Sequence, residues 1–213
     1  MVGRGLASAA LALALAVAFA PVLFGDRTLS SAAWVPGALP DGPVGDVRPS
    51  GPPPVRDVEG ATWVDEPAPY LVHRELERGS LPIWNAAEGL GIALLGNPNM
   101  AALSPLAWAV ESAPSARAQD FAWIARLLLL GWFTMGLARE LGAGWPGALA
   151  AGIALALGGQ SVQWIQHHPL NTDVFVPAAL WAALATGRRG RRAQAYLSLA
   201  VGAGLLGLSL IHI

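Results

Sequence analysis

Apolar residues fall into five long runs, joined by short polar links and by one long polar insert. The first run, 6–24, follows Arg4 and contains no charged residue. As a helix its nineteen residues reach about 28 Å, close to one hydrocarbon core. The later runs lie at 119–138, 144–163, 172–187 and 193–213, and each predicts a membrane helix. The triplet Ala18-Phe19-Ala20 has the small-x-small form of a signal-peptide cleavage site. Pro21 follows it directly and the apolar run continues through Phe24, so a retained first helix is the favoured reading. The fifth run stops at Ile213 while still apolar, which predicts that the chain is the N-terminal part of a longer polytopic protein.

The polar insert, 25–118, separates the first membrane helix from the second. Its early part, 36–54, is dominated by Pro, Gly and Asp and predicts an irregular segment, because it has too little apolar surface to offset the entropy of ordering. The most patterned stretch follows, DEPAPYLVHRELERGSLPIWN from Asp65 to Asn85. Two carboxylates precede Pro67 and Pro69, and proline is tolerated in a first helical turn, where its missing N–H has no intrahelical partner. Tyr70, Leu71 and Leu76 recur at roughly helical spacing among charged residues, which predicts a helix over 67–78. Gly79 suits its left-handed C-terminal cap, and 80–85 reads as a fixed turn carrying Trp84 and Asn85. This helix is expected along the outer membrane face, with Tyr70, Leu71 and Trp84 turned to protein or lipid.

Arginine in the short links sets the orientation. Arg139 follows the second run, and Arg188, Arg189, Arg191 and Arg192 follow the fourth, whereas 163–173 has no Arg or Lys. The positive-inside rule then places the N-terminus in the cytoplasm and both the insert and 163–173 outside. Composition agrees with a membrane chain: 54% of residues are hydrophobic, 13% are charged, and the mean hydropathy is +0.48. A net charge of −1 gives no nucleic-acid signature. With no Cys, disulfides, thiolate metal sites and Cys nucleophiles are excluded. Nine Trp suit membrane–water interfaces.

Several residues carry candidate chemistry. Asp65 and Glu66 are suited to general acid–base work, but on the residues alone they are better explained as acids at the positive end of a helix. His167, His168 and Asn171 are expected on the same membrane face as Asp65, either binding substrate oxygens or forming a polar interfacial loop. Arg126 lies inside the second apolar run, where it either neutralises a lipid phosphate or snorkels beside Trp123. A divalent cation between His167, His168 and Asp65 is the one metal reading open, disfavoured because adjacent histidines rarely point the same way. Glycines 142, 144, 147, 152, 158 and 159 are expected to permit close helix packing.

In order along the chain come Asp65, then Arg78-Gly79-Ser80-Leu81-Pro82-Ile83-Trp84-Asn85, a Gly-rich piece from Gly89 to Asn97, and Pro105-Leu106-Ala107-Trp108. Arg139-Glu140-Leu141-Gly142 follows, and then a G-G-x-x-x-x-W-x-x-H-x-P-x-N stretch, 158–171, with Pro177 beyond it. This series resembles the YfhO-like bacterial membrane proteins over most of 60–186. The chain departs from their pattern at Ala86, where relatives often carry Pro, and at Arg126, where they often carry His or another polar residue.

The resemblance implies an all-α polytopic membrane protein of glycosyltransferase-C type, a helical bundle with a large first extracytoplasmic loop containing short interfacial helices. It implies a bacterial inner-membrane transferase taking sugar from a polyprenyl-phosphate donor to an extracytoplasmic glycan, lipid or protein acceptor, with Asp65 as catalytic base. Glu66, Trp84, Asn85, Arg126, His167, His168 and Asn171 would then bind substrate, membrane lipid would surround the chain, and no cofactor is required beyond the open cation reading. The alternative from another class is a non-catalytic membrane protein of the same fold: a lipid or glycan transporter, or an envelope-assembly partner.

Overall fold

The first helix, α1 (Val2–Ala18), buries Ala7, Leu11 and Leu15, spaced one turn apart, and leaves Leu6, Leu13 and Val17 exposed. In this computed structural model, which describes residues 2–35, 57–86, 90–95, 97, 102, 104–167 and 170–189, that buried stripe packs on two later helices. They are α4 (Ala116–Glu140) and α5 (Trp145–Ala156). Between them and α1 come α2 (Ala68–Glu77), a two-residue antiparallel pair of β1 (Trp84–Asn85) with β2 (Ile92–Ala93), and α3 (Pro105–Glu111). The last described helix is α6 (Phe175–Arg189), which packs on α4.

α4 is the axis of the fold. Ser115 caps it, its hydroxyl accepting from the Ala118 N–H at 3.1 Å. Gly142, at φ 100°, closes its C-terminal end, with the Ala143 N–H reaching back to the Ala138 carbonyl at 3.0 Å. Gly142 thus serves a helix end and not the close packing the sequence suggests. Gly152 does serve packing: a Cβ there would lie 2.7 Å from the Gly131 carbonyl oxygen, so the backbones of α4 and α5 touch. At twenty-five residues α4 spans about 37 Å. Among the described residues it is the one helix long and apolar enough to cross a membrane, while Gly3–Ala18 and Phe175–Ala185 form shorter apolar helices.

Element boundaries depart from the expected runs where the backbone is interrupted. The run expected at 6–24 breaks at Phe19 and resumes as Ala20–Leu23, because Pro21 has no N–H to continue the ladder. The run expected at 144–163 stops at Ala156; Gly158 is extended, at φ −62° and ψ 151°, and a separate short helix covers Gly159–Gln163. Consecutive glycines make that break inexpensive. The run expected at 172–187 divides into Leu170–Asp173 and α6. The helix expected over 67–78 is α2; it packs Ala68, Val72 and the partly buried Leu71 against Leu94 and Ala102, also buries Pro69, and leaves Tyr70 44% and Trp84 53% exposed. Gly79 takes a φ of 70° after its last turn. The segment 36–54, His168 and the run 193–213 lie outside the described residues.

Candidate functional site

Asp65 ends a π-helical turn, Ala61–Asp65, directly ahead of α2, and its side chain is 1% exposed. The sequence expects this acid at a helix start; the wider turn instead rotates it into the protein, where π-type turns often mark functional positions. Its Oδ2 lies 2.9 Å from Nδ1 of His167, which is in the segment joining the Gly159–Gln163 helix to Leu170–Asp173. The approach is short but off the line of a well-formed hydrogen bond at Nδ1. A modest turn of the imidazole aligns it, an adjustment of the kind that accompanies substrate binding. The His167 ring stacks on Trp164 at 4.9 Å between centroids and 8° between planes, which restricts the ring to its own plane.

Arg126 holds the segment that carries His167. Its Nη1 donates to the His167 carbonyl and to Asn171 Oδ1, both at 2.9 Å, and its Nη2 donates to the Ile165 carbonyl. The residue is 2% exposed, so it does not snorkel; it ties 165–171 to the first half of α4. Arg126 and Asp65 also attract each other through space. Burial lowers the proton affinity of His167, Arg126 lowers it further, and Asp57 opposes both. His167 is therefore neutral at pH 7. A carboxylate can only accept, so the proton belongs on Nδ1 facing Asp65, and Nε2 is left with a lone pair.

Glu66 takes a structural place, one of the two readings its sequence position allows. Its Oε2 accepts from the Ser30 hydroxyl at 2.6 Å, and its Oε1 accepts from the Ser31 N–H at 2.7 Å, the Ser31 hydroxyl at 2.9 Å and Gln166 Nε2 at 3.2 Å. Both oxygens are thus engaged by protein donors, a structural role. Trp84 lies against Gly91, where a Cβ would come within 2.2 Å of its indole nitrogen, and neighbouring Asn85 is buried in the β1–β2 pair. Both lie in this hairpin. Among the described residues no three His, Asp or Glu side chains are grouped to hold a metal.

Sequence reasoning missed the anchors of the segment 28–31. Asp120, 1% exposed on α4, accepts from the Leu29 N–H at 2.8 Å and the Thr28 hydroxyl at 3.1 Å. The hydroxyl of Ser31, fully buried, lies 3.0 Å from Gln166 Oε1, which competes with Glu66 for its one proton, and Gln166 Nε2 donates to the Leu29 carbonyl. Arg117 gathers the carbonyls of Val22, Gly25 and Arg27. The one available signal was Asp120 itself, a carboxylate near the start of an apolar run.

Glu111, at the end of α3, was also missed. It is 3% exposed, its Oε1 has no hydrogen-bond partner, and burial pushes its carboxyl up to about 8. Its folded value therefore lies above its unfolded one, so the stabilising protonated form is fully present below about 4.5 and lost as pH rises through 8. Stability should fall by roughly 1.4 kcal/mol per pH unit from this group across that window. Glu111→Gln should flatten the slope, measured as unfolding midpoint against pH in detergent; an unchanged slope would refute the assignment.

The chain matches no family model, no curated protein and no solved structure.

Proposed function

We propose that the chain belongs to a polytopic bacterial inner-membrane glycosyltransferase of C type, with a cytoplasmic N-terminus, moving sugar from a polyprenyl-phosphate donor to an extracytoplasmic hydroxyl acceptor. The observation that carries this reading is the buried Asp65 against a partly exposed, neutral His167, held on the first half of α4 by buried Arg126. Membrane placement is supported by α4, by the apolar helices flanking it, and by the exposed Leu6, Leu13 and Val17 of α1.

In this reading His167 is the base that meets the acceptor, and Asp65 is its positioning partner, because a side chain 1% exposed does not reach substrate. The acceptor O–H gives its proton to His167 Nε2 while its oxygen bonds to the anomeric carbon. The bond from that carbon to the phosphate oxygen breaks, and polyprenyl phosphate leaves with the electron pair. The developing imidazolium is stabilised by Asp65. Burial, aided by Arg126, keeps His167 neutral before the step, and Arg126 fixes its backbone.

The test is sugar transfer from a polyprenyl-phosphate donor in membranes carrying the chain, with His167→Ala expected to lose about 10²–10⁴ in rate. Failure to transfer across donors by the unaltered chain, or unchanged turnover in His167→Ala, would overturn the reading. The network of Ser31, Glu66 and Gln166 favours the second reading, a non-catalytic membrane protein of this fold. That reading expects His167→Ala to alter folding and no transfer to be detected at all.

A further inference from the structure

The opposite half of α4 borders a second site. From Arg126 to Arg139 the helix advances about 20 Å, and there the ends of α1, α4 and α5 enclose a cavity of about 270 Å³ with α6. Its walls include Arg4, Arg139, Glu140, Trp132, Trp145 and Trp181. Arg4 lies over the Trp132 ring at 5.5 Å and Arg139 over the Trp145 ring at 4.6 Å. Stacking engages the flat face of a guanidinium and leaves its edge N–H groups to bind an anion in a fork. Arg139 uses one Nη1 donor on the Ala143 carbonyl. Two guanidiniums against the one Glu140 carboxylate leave the wall positive by one charge.

Helix geometry adds to that charge. α5 starts at Trp145 with no side-chain cap on its N-terminal end, so the positive end of its dipole lies at the cavity. Gly3 allows this approach: a Cβ there would come within 2.6 Å of the Trp145 ring. The cavity falls just below the usual 300–1,000 Å³ of small-molecule sites, enough for a headgroup and too little for a whole lipid.

We propose that this cleft binds the phosphate of an anionic headgroup, with Arg4 and Arg139 as its ligands and the stacked Trp132 and Trp145 as their supports. The exposed Leu6 and Leu13 on the other face of α1 give that helix an apolar surface for acyl chains, which favours a lipid as the source over free phosphate. The orientation of that lipid relative to the membrane rests on the membrane reading above; the phosphate site does not rest on the transfer chemistry.

The experiment uses the full chain reconstituted in phosphatidylcholine vesicles containing a minor fraction of tail-brominated lipid, which quenches nearby Trp fluorescence. Brominated phosphatidylglycerol should quench more than brominated phosphatidylcholine at equal fraction, with about fivefold local enrichment per Arg engaged. Arg4→Gln with Arg139→Gln should abolish the preference, and Arg4→Gln alone should reduce it; both side chains are exposed, so helicity by circular dichroism should hold. Arg74→Gln on α2 with Arg78→Gln just after it should leave the preference intact. A parallel arm titrates inorganic phosphate into the detergent-solubilised chain: an Arg-dependent response there without a lipid preference makes free phosphate the ligand of the same site. Equal quenching by the two lipids with no phosphate response, or a preference that survives loss of both arginines, overturns the proposal. Because this readout needs no sugar transfer, its failure is distinguishable from failure of the catalytic reading.

Discussion

Asp65→Asn is expected to lower the proposed sugar transfer by about 10²–10⁴ while the chain still folds. The substitution preserves size but changes what faces His167 Nδ1. A carboxylate accepts only, and so keeps the proton on Nδ1 and the lone pair on Nε2. An amide can turn its NH₂ toward Nδ1 and favour the opposite tautomer, with the proton on Nε2 where the base is needed. The amide also gives no charge to stabilise the imidazolium formed during transfer. The pH profile separates this from a folding defect. The folded value of His167 lies below its ordinary 6.5, so unaltered activity should persist through neutrality and fall only on acidification. Asp65→Asn should be low across the whole range. Glu66→Gln provides the contrast: its oxygens hold Ser30, Ser31 and Gln166, so thermal stability should drop while turnover per folded molecule stays near normal. Normal turnover in Asp65→Asn, with Glu66→Gln inactive, would move the role to Glu66; normal turnover in both would sink the catalytic reading.

The sequence made some of this site legible and hid the rest for physical reasons. Asp65, Arg126, His167 and Asn171 were assigned to one face from the order of apolar runs and the distribution of arginine, and they do meet. The choice between a snorkelling and a buried Arg126 was not legible, because it turns on where 165–171 folds, and nothing in the spacing of α4 records that. Glu66 was left between a structural and a substrate role because a helix-start acid looks the same whether water or serine hydroxyls surround it. The Ser31–Gln166 contact joins residues 135 positions apart through two uncharged side chains, and such pairs leave no periodic trace. Helix existence was legible from the apolar runs; helix ends were not. The break after Ala156 and the one at Phe19 were decided by Gly158 and Pro21, single residues inside runs whose hydrophobicity is continuous.

Arg126→Met should cost about 3–5 kcal/mol of stability, the largest effect expected of any single change in the described residues. Methionine matches the length and fills the space, but removes the donors that satisfy the carbonyls of Ile165 and His167 and Oδ1 of Asn171. A buried acceptor left unpaired costs about 1–3 kcal/mol. The same change removes the positive charge that opposes the buried Asp65 carboxylate. Arg126→Lys restores the charge without the planar fork, since a single ammonium cannot reproduce contacts made from two guanidinium nitrogens, so it should fall between the two. Unfolding midpoints in detergent, followed by helicity and by Trp fluorescence, measure both variants. The coupling is diagnostic. Asp65→Asn removes the charge that Arg126 opposes, so Asp65→Asn with Arg126→Met should cost less than the sum of the single changes. Additive costs, or a loss below about 1 kcal/mol for Arg126→Met, would mean that Arg126 behaves as a solvated surface charge, and the assembly of Asp65, His167 and Asn171 around it would have to be abandoned.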